Sequence, residues 1–114
     1  MEKELRLRRY EDFKKAFRKG KRFPGHFFVL YMLKTDSQKT RFGVSISKSH
    51  LKLATNRNRV RRVAKELFKN NLKQKFLGHD FVLASRSICL KTELKKATDE
   101  VKKLMAKPIH GKHN

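Results

Sequence analysis

Acidic residues are scarce in this chain: 10 Asp and Glu stand against 31 Lys and Arg among 114 residues, a formal net charge of +21. Such an imbalance repels itself in a compact chain and exceeds what solubility needs. It points to a polyanionic partner, with nucleic acid ahead of an anionic membrane surface. Cysteine is limited to Cys89, which excludes an intrachain disulfide and suits a reducing, cytoplasmic setting. Flanked by Ile88 and Leu90, Cys89 reads as a small buried or half-buried side chain and not as a nucleophile. Hydrophobic runs are short. None approaches the ~18 residues of a membrane-spanning helix and no signal-peptide pattern opens the chain, so no membrane partner is expected. A Gly-rich phosphate loop is missing. His26, His50, His79, His110 and His113 lack the spacing of a zinc site. The adjacent acids Glu11-Asp12 and Asp99-Glu100 read as helix-surface charges, so no carboxylate metal cluster emerges. These absences exclude the usual equipment of a protein that breaks bonds with its own side chains.

What is present suffices for one domain with one modest core. Residues 1–107 read as a single nucleic-acid-binding domain and residues 108–114 as a flexible C-terminal tail. A first helix is predicted from Glu11 to Lys19, with acids in its first turn, bases in its last and Gly20 beyond. Phe27 to Leu33 is a continuous apolar run suited to a strand covered on both faces. In Arg41 to Ser47 the alternation is strict. Phe42, Val44 and Ile46 point to a core, while Arg41, Gly43, Ser45 and Ser47 form a small polar face. Lys48 to about Asn56 forms a loop, and a basic helix follows with Thr55 or Asn56 as its cap. Asp80 to Ser85 is a third strand. A last helix starts at Thr92, carries Leu94, Ala97, Val101, Leu104 and Met105 at helical spacing, and ends where Pro108 forbids more. The order αββαβα describes an α+β sandwich with a small sheet.

The basic helix breaks a rule that the first helix obeys. Arg57, Arg59, Arg61 and Arg62 crowd its first two turns, where the helix dipole makes each cation cost about 0.3–1 kcal/mol. At 100° per residue, Val60, Val63, Ala64, Leu67 and Phe68 form the stripe that docks on the sheet. Asn58, Arg61, Arg62, Lys65 and Lys69 form a second stripe, running roughly 12 Å from Arg61 to Lys69. A solvated face normally mixes charge signs for i,i+4 pairing. This one has Glu66 as its only acid, and guanidinium forks suit phosphate oxygens and base faces. A polyanion-binding face is therefore the better reading.

Phe13 and Phe17 share a face of the first helix, and two readings fit them. They are core side chains, or partly exposed rings beside a groove above Gly43, Ser45 and Ser47 in which single-stranded bases stack. Tyr31 is expected to reach a partner with its hydroxyl.

Taken together, Arg57-Asn58-Arg59-Val60-Arg61-Arg62 followed by Glu66-Leu67-Phe68, and preceded by Phe42-Gly43-Val44-Ser45-Ile46-Ser47-Lys48, resemble the signature of the bacterial ribonuclease P protein component. The resemblance extends to Glu11-Asp12-Phe13 with Phe17 and Gly20, to Phe28-Val29-Leu30-Tyr31 and to the Asp80–Ala84 strand, covering about Arg6 to Met105. The loop Ser49 to Ala54 departs from the family pattern by one extra residue. The resemblance implies a ribosomal-protein S5 domain 2-like fold with a small mixed sheet and a left-handed βαβ crossover, an exception to the usual hand. It implies a subunit of an endoribonuclease that removes the 5′ leader from precursor tRNA, with no catalytic residue on the protein. Hydrolysis would fall to an RNA subunit that binds most of the Mg²⁺. By the same resemblance, Arg57, Asn58, Arg59, Arg61, Arg62, Lys65 and Lys69 bind the catalytic RNA, with Arg57, at the edge of the apolar stripe, having a second reading as a residue that fixes the preceding loop. Phe13, Phe17, Tyr31, Ser45, Ser47 and Lys48 form the leader cleft. Partners are then ribonuclease P RNA and precursor tRNA, with no stable protein partner. Two other readings of the basic surface are a structural rRNA-binding protein of ribosomal type and a DNA-binding module. The latter lacks a helix-turn-helix pattern and a dimerisation seam.

Overall fold

The alternating and apolar stretches pair into one four-stranded sheet in a computed structural model that describes residues 3–111. Its strands are β1 (Lys21–Pro24), β2 (Phe28–Lys34), β3 (Arg41–Ser45) and β4 (His79–Ser85), in the order β1-β2-β4-β3. The β1-β2 and β2-β4 pairs are antiparallel and β3-β4 is parallel. The helices are α1 (Tyr10–Lys19), α2 (Ala54–Leu67) and α3 (Leu94–Gly111). The expected mixed α+β sheet is present. The sequence reading omitted β1, a four-residue edge strand of which only Phe23 is buried. Three exposed residues, the terminal Pro24 among them, mute the alternation there, as is common at sheet edges.

The pleat sorts side chains to two faces. On one, the register aligns Phe23, Leu30, Leu83 and Val44 in a row and Met32, Phe81 and Phe42 in the next. These join the main core with Val60 and Ala64 of α2 and Ala97, Val101, Leu104 and Met105 of α3, all but Met32 and Val44 of them buried. Phe68, just past α2, stacks on Phe42 with ring centroids 5.0 Å apart and meets Phe81 edge-on at 6.3 Å. The helical path continues through a π-type turn, Phe68–Leu72, that buries both of its end residues.

On the opposite face the register aligns Arg22, Tyr31, Val82 and Gly43. Here α1 lies down with Ala16 fully buried against Leu7 and Val82. Gly43 sets how close it comes: a Cβ there would stand 2.6 Å from Cζ of Phe13 and 2.9 Å from Cβ of Leu7. Polar contacts fix the same helix. Asp80 is buried, and it accepts hydrogen bonds from Arg41 Nε to Oδ1 at 3.0 Å and from Nη2 to Oδ2 at 2.8 Å. Asp12 of α1 stands 3.5 Å from Nη1 of the same guanidinium. The bond to Asp80, together with both carboxylate charges and against the effect of burial, pushes the Arg41 pKa further up.

Three sequence expectations are corrected. Leu53, not Thr55 or Asn56, precedes α2, and it caps with its carbonyl, which accepts from both Asn56 N and Arg57 N at 3.1 Å. Thr92 lies inside a short 3₁₀ turn, Lys91–Glu93, and α3 follows it. Glu93 Oε1 accepts from Leu90 N at 3.0 Å to close that turn. Pro108 does not end α3, which runs on to Gly111. Pro108 is buried and Ile109 packs on the core, so apolar contact offsets the one hydrogen bond that a late proline removes. Residues 108–111 of the expected tail are therefore helical, and residues 112–114 lie outside the described residues.

Glu100 is the other correction, because it is not a surface charge. Its carboxylate accepts from the backbone N–H of His26, from Phe27 at 2.8 Å and from Phe28 at 3.0 Å. It thereby ties the β1-β2 turn to α3. Arg86 and Ser87, after β4, hold the same turn by donating to the carbonyls of Gly25 at 3.0 Å and His26 at 2.7 Å. Replacing Glu100 by Ala should cost about 1–3 kcal/mol, because it orphans these amides. Asp99→Ala, next to it and paired with exposed Lys95, should stay within about 0.5 kcal/mol. Urea unfolding of both variants decides, and equal losses would contradict the assignment.

Candidate nucleic-acid interface

The two faces of the sheet carry two chemically different surfaces. On the core side, α2 docks through Val60, Ala64 and half-buried Val63 and Leu67, which leaves the rest of its circumference for charge. Asn58, Arg59, Arg62 and Lys69 are exposed, and Arg61 and Lys65 are half-buried along the flank that meets β3. The first turn of α2 holds no acid. Arg61 Nη1 lies 3.4 Å from Asn58 Oδ1, at the edge of hydrogen bonding, so the stripe is only loosely held by its own contacts.

Arg57 stands apart from the stripe. Its Nη1 donates to the carbonyls of Leu51 at 2.7 Å and Lys52 at 2.9 Å. The side chain therefore fixes the loop that enters α2.

The stripe also gains a residue that the sequence reading did not include. The N-terminal segment runs beside β3, with Arg6 bridging in parallel to Phe42 and Leu7 N donating to Phe42 O at 3.0 Å. Leu5 and Leu7 are buried while Arg6 and Arg8 are exposed. Arg6 consequently lines a cleft with Arg61 and Lys65. The signal was legible as Leu5-Arg6-Leu7-Arg8, an alternation of period two.

On the opposite face, α1 leaves one end of the sheet uncovered. Ser45 and Ala84 are neighbours in register there, and a groove of about 360 Å³ opens between Phe17, Tyr31, Ser45, Ser47, Ala84 and Ser85. Phe17 is 38% exposed. It meets Tyr31 edge-on at 5.1 Å between centroids, and the Arg22 guanidinium lies 5.9 Å from the Tyr31 ring centre. An aromatic wall, a hydroxyl-bearing floor and a cation at the rim suit a single strand of nucleic acid.

Of the expected groove residues, Phe17, Tyr31, Ser45 and Ser47 line this space. Phe13 does not; it is half-buried over Gly43, where it spaces α1 from the sheet. Lys48 is exposed on the turn after Ser47 and outside the lining. Ser85 and His50, which sequence reasoning passed over, shape the groove's end. Ser85 Oγ accepts from Ser47 N at 2.9 Å and lies 2.8 Å from His50 Nδ1.

Among the described residues no three His, Cys, Asp or Glu side chains converge to hold a metal ion. No helix among them is long and apolar enough to cross a membrane. Cys89 is buried, as expected, and burial followed by the nearby charges of Glu93 and Glu100 pushes its thiol pKa up, away from nucleophile chemistry.

The chain is similar to known proteins in sequence and in fold. The family model described as Ribonuclease P matches residues 1–108. The ribonuclease P protein component of Clostridioides difficile (strain 630) is 41% identical over 81 residues, covering 70% of each chain. That of Pseudanabaena sp. (strain PCC 6903) is 35% identical over 109 residues, covering 93% of this chain and 94% of that one. Among solved structures, a Staphylococcus aureus RNase P protein mutant with defective mRNA degradation activity is 26% identical with a TM-score of 0.73, covering 92% of this chain and 85% of that one. The RNase P protein from Thermotoga maritima in complex with 1-(4-fluorophenyl)-2-thiourea is 25% identical with a TM-score of 0.66, covering 91% and 94%. A match that spans nearly every residue, in sequence and in fold alike, places this chain in the ribonuclease P protein component family.

Proposed function

We propose that this chain is the protein subunit of a ribonuclease P and grips two RNAs on opposite faces of its sheet, the catalytic RNA at α2 and the 5′ leader of precursor tRNA in the groove under α1. The observation that carries the proposal is the separation of the surfaces. A stripe of Arg and Lys with almost no acid lies on one side, and an aromatic groove floored by serines lies on the other. The stripe has the chemistry of a phosphate backbone contact, positioning RNA without reading it. The groove has the chemistry of base stacking.

In this reading Asn58, Arg59, Arg61, Arg62, Lys65 and Lys69, joined by Arg6, bind the ribonuclease P RNA. Arg57 is a positioning residue that shapes the loop leading into them. Phe17 and Tyr31 stack on leader bases, Ser45 and Ser47 line the floor, and Lys48 waits beside the groove for a phosphate. Phe13 holds α1 at the height that keeps the groove open.

The chain would assist cleavage by screening repulsion between two polyanions and by holding the substrate in place. Cutting itself is assigned to the RNA subunit, where Mg²⁺ supplies Lewis-acid chemistry for phosphodiester hydrolysis.

Reconstitution tests the proposal. Added to a ribonuclease P RNA, the protein should restore leader removal from precursor tRNA at low Mg²⁺ and favour precursor over mature tRNA. No gain over RNA alone would contradict it, and indifference to the leader would favour a ribosomal-type binder.

The two surfaces should also separate by mutation. Arg62→Ala should weaken assembly with the RNA subunit about 10- to 100-fold, from the loss of one charge-assisted contact of about 1.5–3 kcal/mol. Phe17→Ala should leave assembly intact and weaken leader-dependent binding of precursor tRNA by about 1–3 kcal/mol. Direct binding measurements with each RNA check both, and a swapped or shared phenotype would contradict the two-face arrangement.

A further inference from the structure

The loop that enters α2 and the loop that leaves β4 close on each other. Cys89 N donates to His50 O at 2.9 Å, and Arg57 holds the Leu51 and Lys52 carbonyls from below. Between the loops lies a cavity of about 400 Å³ walled by Leu51, Leu53, Ile88 and Leu90. Only Leu51 belongs to the core. Leu53, Ile88 and Leu90 are 41%, 63% and 58% exposed. A cluster of open aliphatic side chains around a concave space marks a site with an occupant, and the volume falls in the lower part of the roughly 300–1,000 Å³ range of small-ligand pockets.

The chemistry of the rim narrows the occupant. No acid lines the cavity, whereas Lys52, Lys91 and Asn56 do. An amide both donates and accepts, so it can pair with the edge of a base. Position narrows it further. Lys52, Leu53 and Asn56 lead directly into the turns of α2 that carry Asn58, Arg59 and Arg62. Asn56 and Arg62 are separated by roughly 9 Å along the helix axis. Asn56, Arg59 and Arg62 follow one another at three-residue steps, so a backbone gripped at Arg59 and Arg62 is led toward the cavity. An aliphatic slot beside a cationic track suits a flat apolar body on an anionic tether.

We infer that this cavity takes a single unstacked nucleotide of the partner RNA, its base between the aliphatic walls, its edge at Asn56 and its flanking phosphates at Lys52 and Lys91. The inference rests on the reading that α2 binds ribonuclease P RNA. It adds a contact that selects for an extruded base, which a phosphate-binding stripe cannot do alone.

The test uses the full chain, a ribonuclease P RNA probed by 2′-hydroxyl acylation and base methylation, and an Ile88→Ser, Leu90→Ser double variant that changes no charge. The native protein should protect one nucleotide at its base that the double variant leaves reactive, while the other protections persist. Affinity of the double variant should fall about tenfold, on the scale of losing buried aliphatic contact. Its salt dependence should be unchanged, whereas Lys52→Ala should flatten the log K against log salt slope by about 0.7–0.9. The double variant's exposed positions should leave its thermal unfolding native, and Leu90→Ala alone gives a milder version of the same readout. A footprint and affinity equal to the native protein's would overturn this inference and leave the α2 reading standing. Loss of self-association in sedimentation with an unchanged footprint would make the occupant a second copy, and overturn it too. Failure of the native chain to bind the RNA at all would overturn both readings.

Discussion

A formal net charge of +21 on 114 residues is the constraint around which this molecule is organised. A chain so charged has few acids with which to neutralise itself, and several of them act at structural joints. Asp80 and Asp12 converge on Arg41 and join α1 to the sheet. Glu100 gathers the amides of the β1-β2 turn, and Glu93 closes the entry to α3. What remains outside is mostly cationic, with Glu11, Asp36 and Glu66 exposed among it, and α2 concentrates the positive charge. The fold thus spends its acids on internal order, which leaves an external field that only a polyanion can answer.

The sheet turns that field into geometry. Because alternate residues of each strand face opposite ways, Phe42 stacks under Phe68 while its neighbour Gly43 admits Phe13 from the other side. One strand thereby supports the helix that carries the arginines and the helix that walls the groove. The same register puts Ser45 beside Ala84 at the open end, where no large side chain fills the floor. On the proposed reading, a cationic surface and an aromatic groove back to back on one thin sheet let a small protein meet two nucleic acids without asking either to share a site.

Much of this was legible in the sequence wherever one periodicity dominated. The 3.6-residue spacing of Val60, Ala64 and Phe68 places the docking side of α2, and the strict alternation from Arg41 to Ser47 places the strand beside it. The missed elements are those in which the signal is short or comes from distant residues. β1 shows one buried side chain in four. The N-terminal segment shows only Leu5 and Leu7, yet it delivers Arg6 to the basic cleft. Glu100 looks like any helix carboxylate until the turn 74 residues away brings its amides within reach. Pro108 carries a local rule against helix that burial overrides. At the site, residue type announced the stripe and the aromatic wall. It did not distinguish Arg57, which reaches back to loop carbonyls, from the exposed Arg59 and Arg62, nor Phe13, a spacer, from Phe17, a wall.

The central claim is that the two faces meet two different RNAs, and site-directed cross-linking tests it most directly. With Cys89 replaced by Ser, a photoreactive group on a single cysteine introduced at Ser45 or at Arg62 is irradiated in the assembled holoenzyme with precursor tRNA. The account predicts leader adducts from the Ser45 position and ribonuclease P RNA adducts from the Arg62 position. Adducts from both positions to one and the same RNA would contradict it.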